Sequence, residues 1–112
     1  MIKVLGLLTR KPHLTHEQFV DHWLNVHGPL ALAVPGIQRY VQSHIVGTRT
    51  RPDIPETEVE VDGIAELWFE DMESYQRATG SAEMKRLTDD GALIIGQIKT
   101  YMIDEKQIIP PP

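Results

Sequence analysis

Residues 15–18, Thr-His-Glu-Gln, form a capping box, and this quartet restricts what the chain can do locally more than any other segment. The Thr15 hydroxyl can accept from the Gln18 N–H while the Gln18 side chain reaches back to the Thr15 N–H, so a helix must open at His16. Behind it Phe19, Val20, Trp23, Leu24, Val26, His27, Leu30, Ala31 and Val34 recur at helical spacing and give one apolar face. Gly28-Pro29 interrupts that stripe, because a proline inside a helix loses one hydrogen bond and kinks the backbone. The pattern predicts a helix from about His16 to Val26, a bend, and a further turn to Val34.

The segments around this helix read as strands. Ile2 to Thr9 is a short apolar run of the kind found in a strand buried on both faces. Pro35-Gly36 is a turn, and Ile37 to Gly47 then alternates, with Tyr40, Gln42, His44 and Val46 opposite Ile37, Arg39, Val41, Ser43 and Ile45. Thr48 to Asp62 reads as a polar loop. Gly63 to Glu70 alternates again, Ile64, Glu66, Trp68 and Glu70 facing away from Gly63, Ala65, Leu67 and Phe69. Asp71 caps a helix from Met72 to about Thr79, Gly80 stops it, and Ser81 caps another through about Thr88. Ile94 to Ile103 is a last strand with Gln97, Lys99 and Tyr101 on one face, followed by the apolar tail Ile108 to Pro112.

The order β-α-β-β-α-β is that of an α+β, ferredoxin-like fold: one domain over residues 1–112, four antiparallel strands, and helices on a single sheet face. The uncovered face is expected to carry Trp68, Tyr40 and several aliphatic side chains, and such a face must be buried. A second copy is the economical cover, so a homodimer with facing sheets, a dimeric α/β barrel, is expected, with the tail reaching across to its partner.

Charge narrows the partners. With 11 Lys plus Arg against 16 Asp plus Glu, the net charge of −5 argues against nucleic acid, which needs a basic footprint. No apolar run approaches the length of a membrane span, and a cytoplasmic protein with a small-molecule substrate is expected. The absence of Cys removes thiolate nucleophiles and Cys-ligated metals. His22 and His27 are five apart, the wrong spacing for two ligands on one helical face, and no metal site is expected.

Trp23-Leu24-Asn25-Val26-His27-Gly28-Pro29-Leu30-Ala31, preceded by the capping box and followed by Pro35-Gly36, Tyr40 and Gly96-Gln97-Ile98-Lys99, resembles the EthD family of dimeric α/β-barrel proteins. The resemblance covers nearly the whole chain. It implies similarity to methylmuconolactone methylisomerases, which rearrange small lactones without metal or organic cofactor, and to fungal dehydratases and decarboxylases of polyketide pathways. Those isomerases place a Cys on the third strand where this chain has Leu67, which puts that particular isomerisation in doubt; their helix His and strand Tyr match His27 and Tyr40. Related dimeric barrels hold haem, but nothing beyond a lone His supports it here, and no cofactor is expected.

The candidate catalytic residues are therefore His27, Tyr40, Glu66 and His44, with Trp68, Gln97 and Trp23 as substrate contacts. His27 is the general acid/base and Tyr40 a donor to a developing enolate, with Glu66 beside the Trp68 indole, or His44, as second proton carrier. Each has a plainer reading: His27 as a helix-terminal cap, Glu66 in a cross-strand ion pair with Lys99 or Arg39, and His44 turned outward by a slip in register. Two functions remain open. One is a cofactor-independent isomerase, dehydratase or cyclase acting on a lactone or polyketide-like ring; the other is a non-catalytic binding protein with the same cavity.

Overall fold

The computed structural model describes all 112 residues. Its four strands are β1 (Ile2–Arg10), β2 (Ile37–His44), β3 (Gly63–Phe69) and β4 (Ile95–Ile103). They form one antiparallel sheet in the order β2-β3-β1-β4. Between β1 and β2 run α1 (His16–His22), a π-helical segment (Trp23–His27) and α2 (Gly28–Ala31); between β3 and β4 run α3 (Met72–Thr79) and α4 (Ala82–Ile94). This is the ferredoxin-like α+β arrangement, with every helix packed on the same side of the sheet.

Local chemistry sets the helix starts as expected. Thr15 and Gln18 make both hydrogen bonds of the capping box, at 3.1 and 2.9 Å. Asp71 accepts from the Ser74 N–H at 2.7 Å, and Ser81 from the Met84 N–H at 3.1 Å. Gly36, with φ of +89°, takes the left-handed turn that Pro35 introduces and that an L side chain would resist.

Two expectations about the helices need correction. The first helical stretch does not simply bend at Gly28-Pro29. Pro29 has no N–H to give to Asn25, four residues back, and the chain answers by widening its register, so that the Gly28 N–H bonds to the Trp23 carbonyl five residues earlier. The last helix does not stop near Thr88 but runs through Gly91 to Ile94. Gly91 is a point of close packing rather than a helix stop, for a Cβ there would sit 3.3 Å from Cε1 of His27.

The strand faces carry the larger correction. Val4, Gly6 and Leu8 of β1 point toward the helices and pair with Leu67, Ala65 and Gly63, so β1 is buried on one face and only half-buried on the other. Tyr40, Gln42 and His44 pair with those same β3 residues and face the helices as well. Tyr40 is therefore not on the uncovered face with Trp68. The register of β2 shifts between Ile37 and Arg39, a bulge at Gln38 that brings both Ile37 and Tyr40 inward despite their odd spacing.

The core has two parts on the helix side. Val4, Ala31, Val34, Phe69, Ala78 and Leu87 make one; Leu8, Phe19, Trp23 and Ile94 make the other. The uncovered face shows Leu5, Leu7, Val41, Ile64 and Tyr101 from all four strands. On it Trp68 is held between Lys3 and Arg39, 4.8 and 4.6 Å from the ring centre.

Candidate active site

His27 closes the π-helical segment, at the point where the wider helical register turns it inward. It is buried at 8% exposure, and its Nδ1 lies 2.9 Å from Oδ2 of Asp90 on α4. The same carboxylate holds Nε2 of the half-buried His22 at 3.0 Å. Asp90 accepts the Nδ1 hydrogen, so neutral His27 carries its lone pair on Nε2. Nε2 has no protein partner, yet no buried polar side-chain atom is left unpaired, so it keeps accessible surface in the cavity that His27 lines. Burial is the main influence on the imidazole and pushes its pKa below 6.5; the Asp90 hydrogen bond and charge pull the other way, and His22 adds to the lowering. At neutral pH the ring is thus a base.

Tyr40 reaches the same cavity from β2. Its hydroxyl is fixed by Gln42, whose Nε2 lies 2.9 Å from the Tyr40 oxygen and 2.8 Å from the Trp23 carbonyl. A carbonyl only accepts, so that Gln42 atom must be the amide nitrogen. Gln42 therefore donates to Tyr40, whose own hydrogen is free to point elsewhere. The Gln42 oxygen in turn meets Nε2 of His44 at 3.0 Å, which places a hydrogen on that nitrogen. Burial raises the Tyr40 pKa above 10.0, more than these hydrogen bonds lower it, so the phenol stays a neutral donor.

Around the two side chains lies a cavity of about 530 Å³ between the sheet and the helices. Val4, Leu8, Leu67, Phe69, Met84 and Leu87 supply much of its wall, and Thr88, Ala92, Ile98 and Thr100, all exposed, mark the mouth between α4 and β4. Leu67 stands here, in the wall, where the resemblance implies a Cys. Trp23 closes the cavity from behind: it is fully buried, packs on Phe19 at 5.5 Å and stacks on His44 at 5.0 Å. Gly63 lies under its indole, where a Cβ would be 2.7 Å from Cη2. His44 is thus behind Trp23 and does not line the cavity; Gln42 links it to Tyr40.

The sheet separates the remaining candidates from this cavity. Glu66 lies on the uncovered face and pairs with Lys3 at 2.6 Å, rather than with Lys99 or Arg39; Lys3 also binds Glu105 of the tail at 2.9 Å. Trp68 is beside that pair. Gln97 is exposed and borders a different, polar cleft of about 330 Å³ with Thr9, Arg10 and Glu60. None of the three lines the cavity of His27: side-chain alternation along β3 sends Glu66 and Trp68 to the side opposite Leu67, and Gln97 borders the separate cleft. No three of the His, Asp and Glu side chains gather in an arrangement that would hold a metal ion.

The EthD domain matches residues 11–96, a span that includes His27, Tyr40 and Asp90. The chain belongs to the EthD family. One relative, the 4-carboxymethyl-4-methylbutenolide mutase of Pseudomonas reinekei, is 32% identical over 106 residues, 94% of this chain and 98% of that protein. An EthD family protein of Bacillus halodurans superposes with a TM-score of 0.75 at 26% identity, over 95% of this chain and 99% of that one. A ferredoxin-like DABB protein of Mesorhizobium loti does so at 0.71 and 14% identity, over 95% and 97% of the two chains.

Within this EthD domain the residue that sequence reasoning missed is Asp90. It lies 63 positions from His27, in a stretch read as loop between a helix ending near Thr88 and a strand from Ile94. The available signal was spacing: Leu87, Gly91 and Ile94 continue the buried stripe of the helix, and Asp90 lies beside that stripe. Gln42 was grouped with Tyr40 on one strand face, as the structure has it, but that face turns toward the helices, and nothing local marked Gln42 as the residue joining Tyr40, His44 and the Trp23 carbonyl.

Proposed function

We propose that this chain is an enzyme of isomerase type that moves a proton on a small lactone or related oxygenated ring. The observation that carries the reading is the buried His27–Asp90 pair, with Nε2 of His27 open to an apolar cavity that also holds the Tyr40 hydroxyl. The mutase relative, which by its name rearranges a substituted butenolide, supports the same class of reaction.

The chemistry follows from the atoms. Nε2 of His27 removes a proton from carbon next to a ring carbonyl, and Asp90 stabilises the imidazolium that forms. The Tyr40 hydroxyl, turned away from Gln42, donates to the carbonyl oxygen as enolate charge develops there. Apolar walls keep water from competing, and His27 returns the proton at a second carbon to complete the shift. In this scheme Glu66 has no part, and His44 acts only by holding Gln42. The protein would work as a homodimer whose uncovered sheet faces meet, which leaves each cavity within its own protomer.

The test is turnover on a panel of butenolides, followed by loss or gain of the ring-proton signals, with wild type, His27→Gln and Tyr40→Phe. Conversion by wild type, lowered about 10²-fold or more by each substitution, is expected for a general base and an oxyanion donor. A ligand that wild type holds for hours without change would show a binding protein instead. Full activity of the His27→Gln enzyme would remove the proposed base.

A further inference from the structure

We infer that the cavity selects an uncharged ring and discriminates against one bearing a carboxylate, such as a carboxymethyl-substituted butenolide. The inference rests on the small-ring reading above and specifies its substrate class. Eighteen residues line the cavity, thirteen of them hydrophobic, and Lys and Arg are not among them. The lining residues that carry polar side-chain groups are His27, Tyr40, Tyr75, Thr79, Thr88 and Thr100, none of them a cation at pH 8. A carboxylate brought here loses its water and meets no cation in return, and desolvation of that kind is costly unless the charge is paired.

The surroundings make the balance worse for an anion. Behind His27, 2.9 Å from its ring, lies the Asp90 carboxylate, which is already shared with His22. Lys85, on the same helix, does not line the cavity and pairs with Asp89 at 2.8 Å. On the sheet, Lys3 and Arg39 point to the opposite face around Trp68, and Arg10 is held by Asp62 at 2.8 Å. Burial favours neutral His27, which leaves no compensating positive charge at pH 8. A neutral ring needs no cation: a hydroxyl donor for its carbonyl, a base and apolar contact are all in the lining. At about 530 Å³ the volume suits such a ligand and falls within the usual range for small-molecule sites.

A matched pair of ligands tests this: 4-carboxymethyl-4-methylbutenolide and its methyl ester, titrated calorimetrically at pH 8 into wild type and into Ala92→Lys. Ala92 is exposed at the mouth, so a lysine there places a cation beside the cavity without disturbing the core. The ester is expected to bind wild type at least about tenfold more tightly than the acid, and the lysine variant to narrow that ratio about fivefold or more. Equal or tighter binding of the acid by wild type overturns the inference, as does binding of neither ligand in the millimolar range. A ratio unchanged in Ala92→Lys overturns it too, since the preference would then reflect shape and not charge. Turnover read on the same samples separates the two claims. An ester bound tightly but never converted removes the isomerase reading and leaves the charge preference standing; an acid preferred and converted does the reverse.

Discussion

Asp90 decides which form of His27 a ligand meets. Its carboxylate takes the Nδ1 hydrogen and also works against the burial that lowers the imidazole pKa. Replacement by Asn removes the charge while keeping a side chain of the same shape. The sign then follows: without the carboxylate, burial acts with less opposition, so the folded-state pKa falls further below 6.5. A base is active only when unprotonated, so the acid limb of kcat/KM is expected to move to lower pH in Asp90→Asn, while kcat drops about 10²-fold from the lost support of the imidazolium. A pH–rate profile over pH 4–8 checks both. An acid limb that stays in place, or a kcat within a few-fold of wild type, would show that Asp90 merely fills space. His27 and Tyr40 could be named as candidates from the sequence because the resemblance to EthD proteins points to both, and the helical period places His27 on the apolar stripe. Asp90 was not, because its meaning lies in a partner 63 residues away.

At the scale of elements, the site depends on how closely α4 approaches the π-helical segment, and Gly91 sets that distance. A methyl group there would be 3.3 Å from His27 Cε1, so the imidazole must give way by a few tenths of an ångström. Alanine is the better helix former by up to about 1 kcal/mol, which offsets the crowding. Gly91→Ala is therefore expected to change stability by less than about 1 kcal/mol in urea denaturation while kcat falls about tenfold from a displaced base. A large loss of stability with unchanged kcat would contradict this.

A second element-scale contact is Asp62, at the end of the long loop between β2 and β3. Its buried carboxylate accepts from the Arg10 N–H, the Arg10 guanidinium and His16, all at 2.8 Å, and its own N–H bonds to the Leu8 carbonyl. Burial alone would raise its pKa; the Arg10 and His16 hydrogen bonds outweigh that and hold it below 3.8. The stabilisation is then complete above pH 3.8 and is lost as pH falls through the lower, folded-state value. Asp62→Asn is expected to cost about 2 kcal/mol at pH 7 and progressively less below pH 4, as read by denaturation at each pH. A difference that persists unchanged at pH 2 would mean the loss is steric. Helix caps at Thr15, Asp71 and Ser81 could be read directly because each is complete within four residues. The inward turn of Tyr40 could not, because the bulge at Gln38 has no local signature and reverses the face of every β2 residue after it.

For the whole molecule, the free side of the sheet is apolar enough to need a cover. Leu5, Leu7, Val41 and Ile64 lie there in a central band, half-buried within one chain, flanked by Tyr101 and the Trp68–Lys3–Arg39 group. The tail beyond β4 begins on this side, where Glu105 binds Lys3, and continues to Ile108 and Ile109, which are 89% and 87% exposed. Two such faces related by a two-fold axis would bury the bands against each other, and a self-complementary apolar patch is what an isologous dimer requires. Ile64, near the start of β3, pairs with Leu7 in that band. In Ile64→Asp the two-fold axis would bring a pair of carboxylates into an apolar interface, a penalty of several kcal/mol for charges left unpaired. Sedimentation at micromolar concentration is expected to give twice the chain mass for the wild type and a dissociation constant raised about 100-fold or more for the variant. Because Ile64 points away from the cavity, the ester's affinity for the separated protomer should change far less than the dimer constant. A wild type that sediments at the single-chain mass would show that the face is not covered by a second copy, and an Ile64→Asp dimer as tight as wild type would place the interface elsewhere.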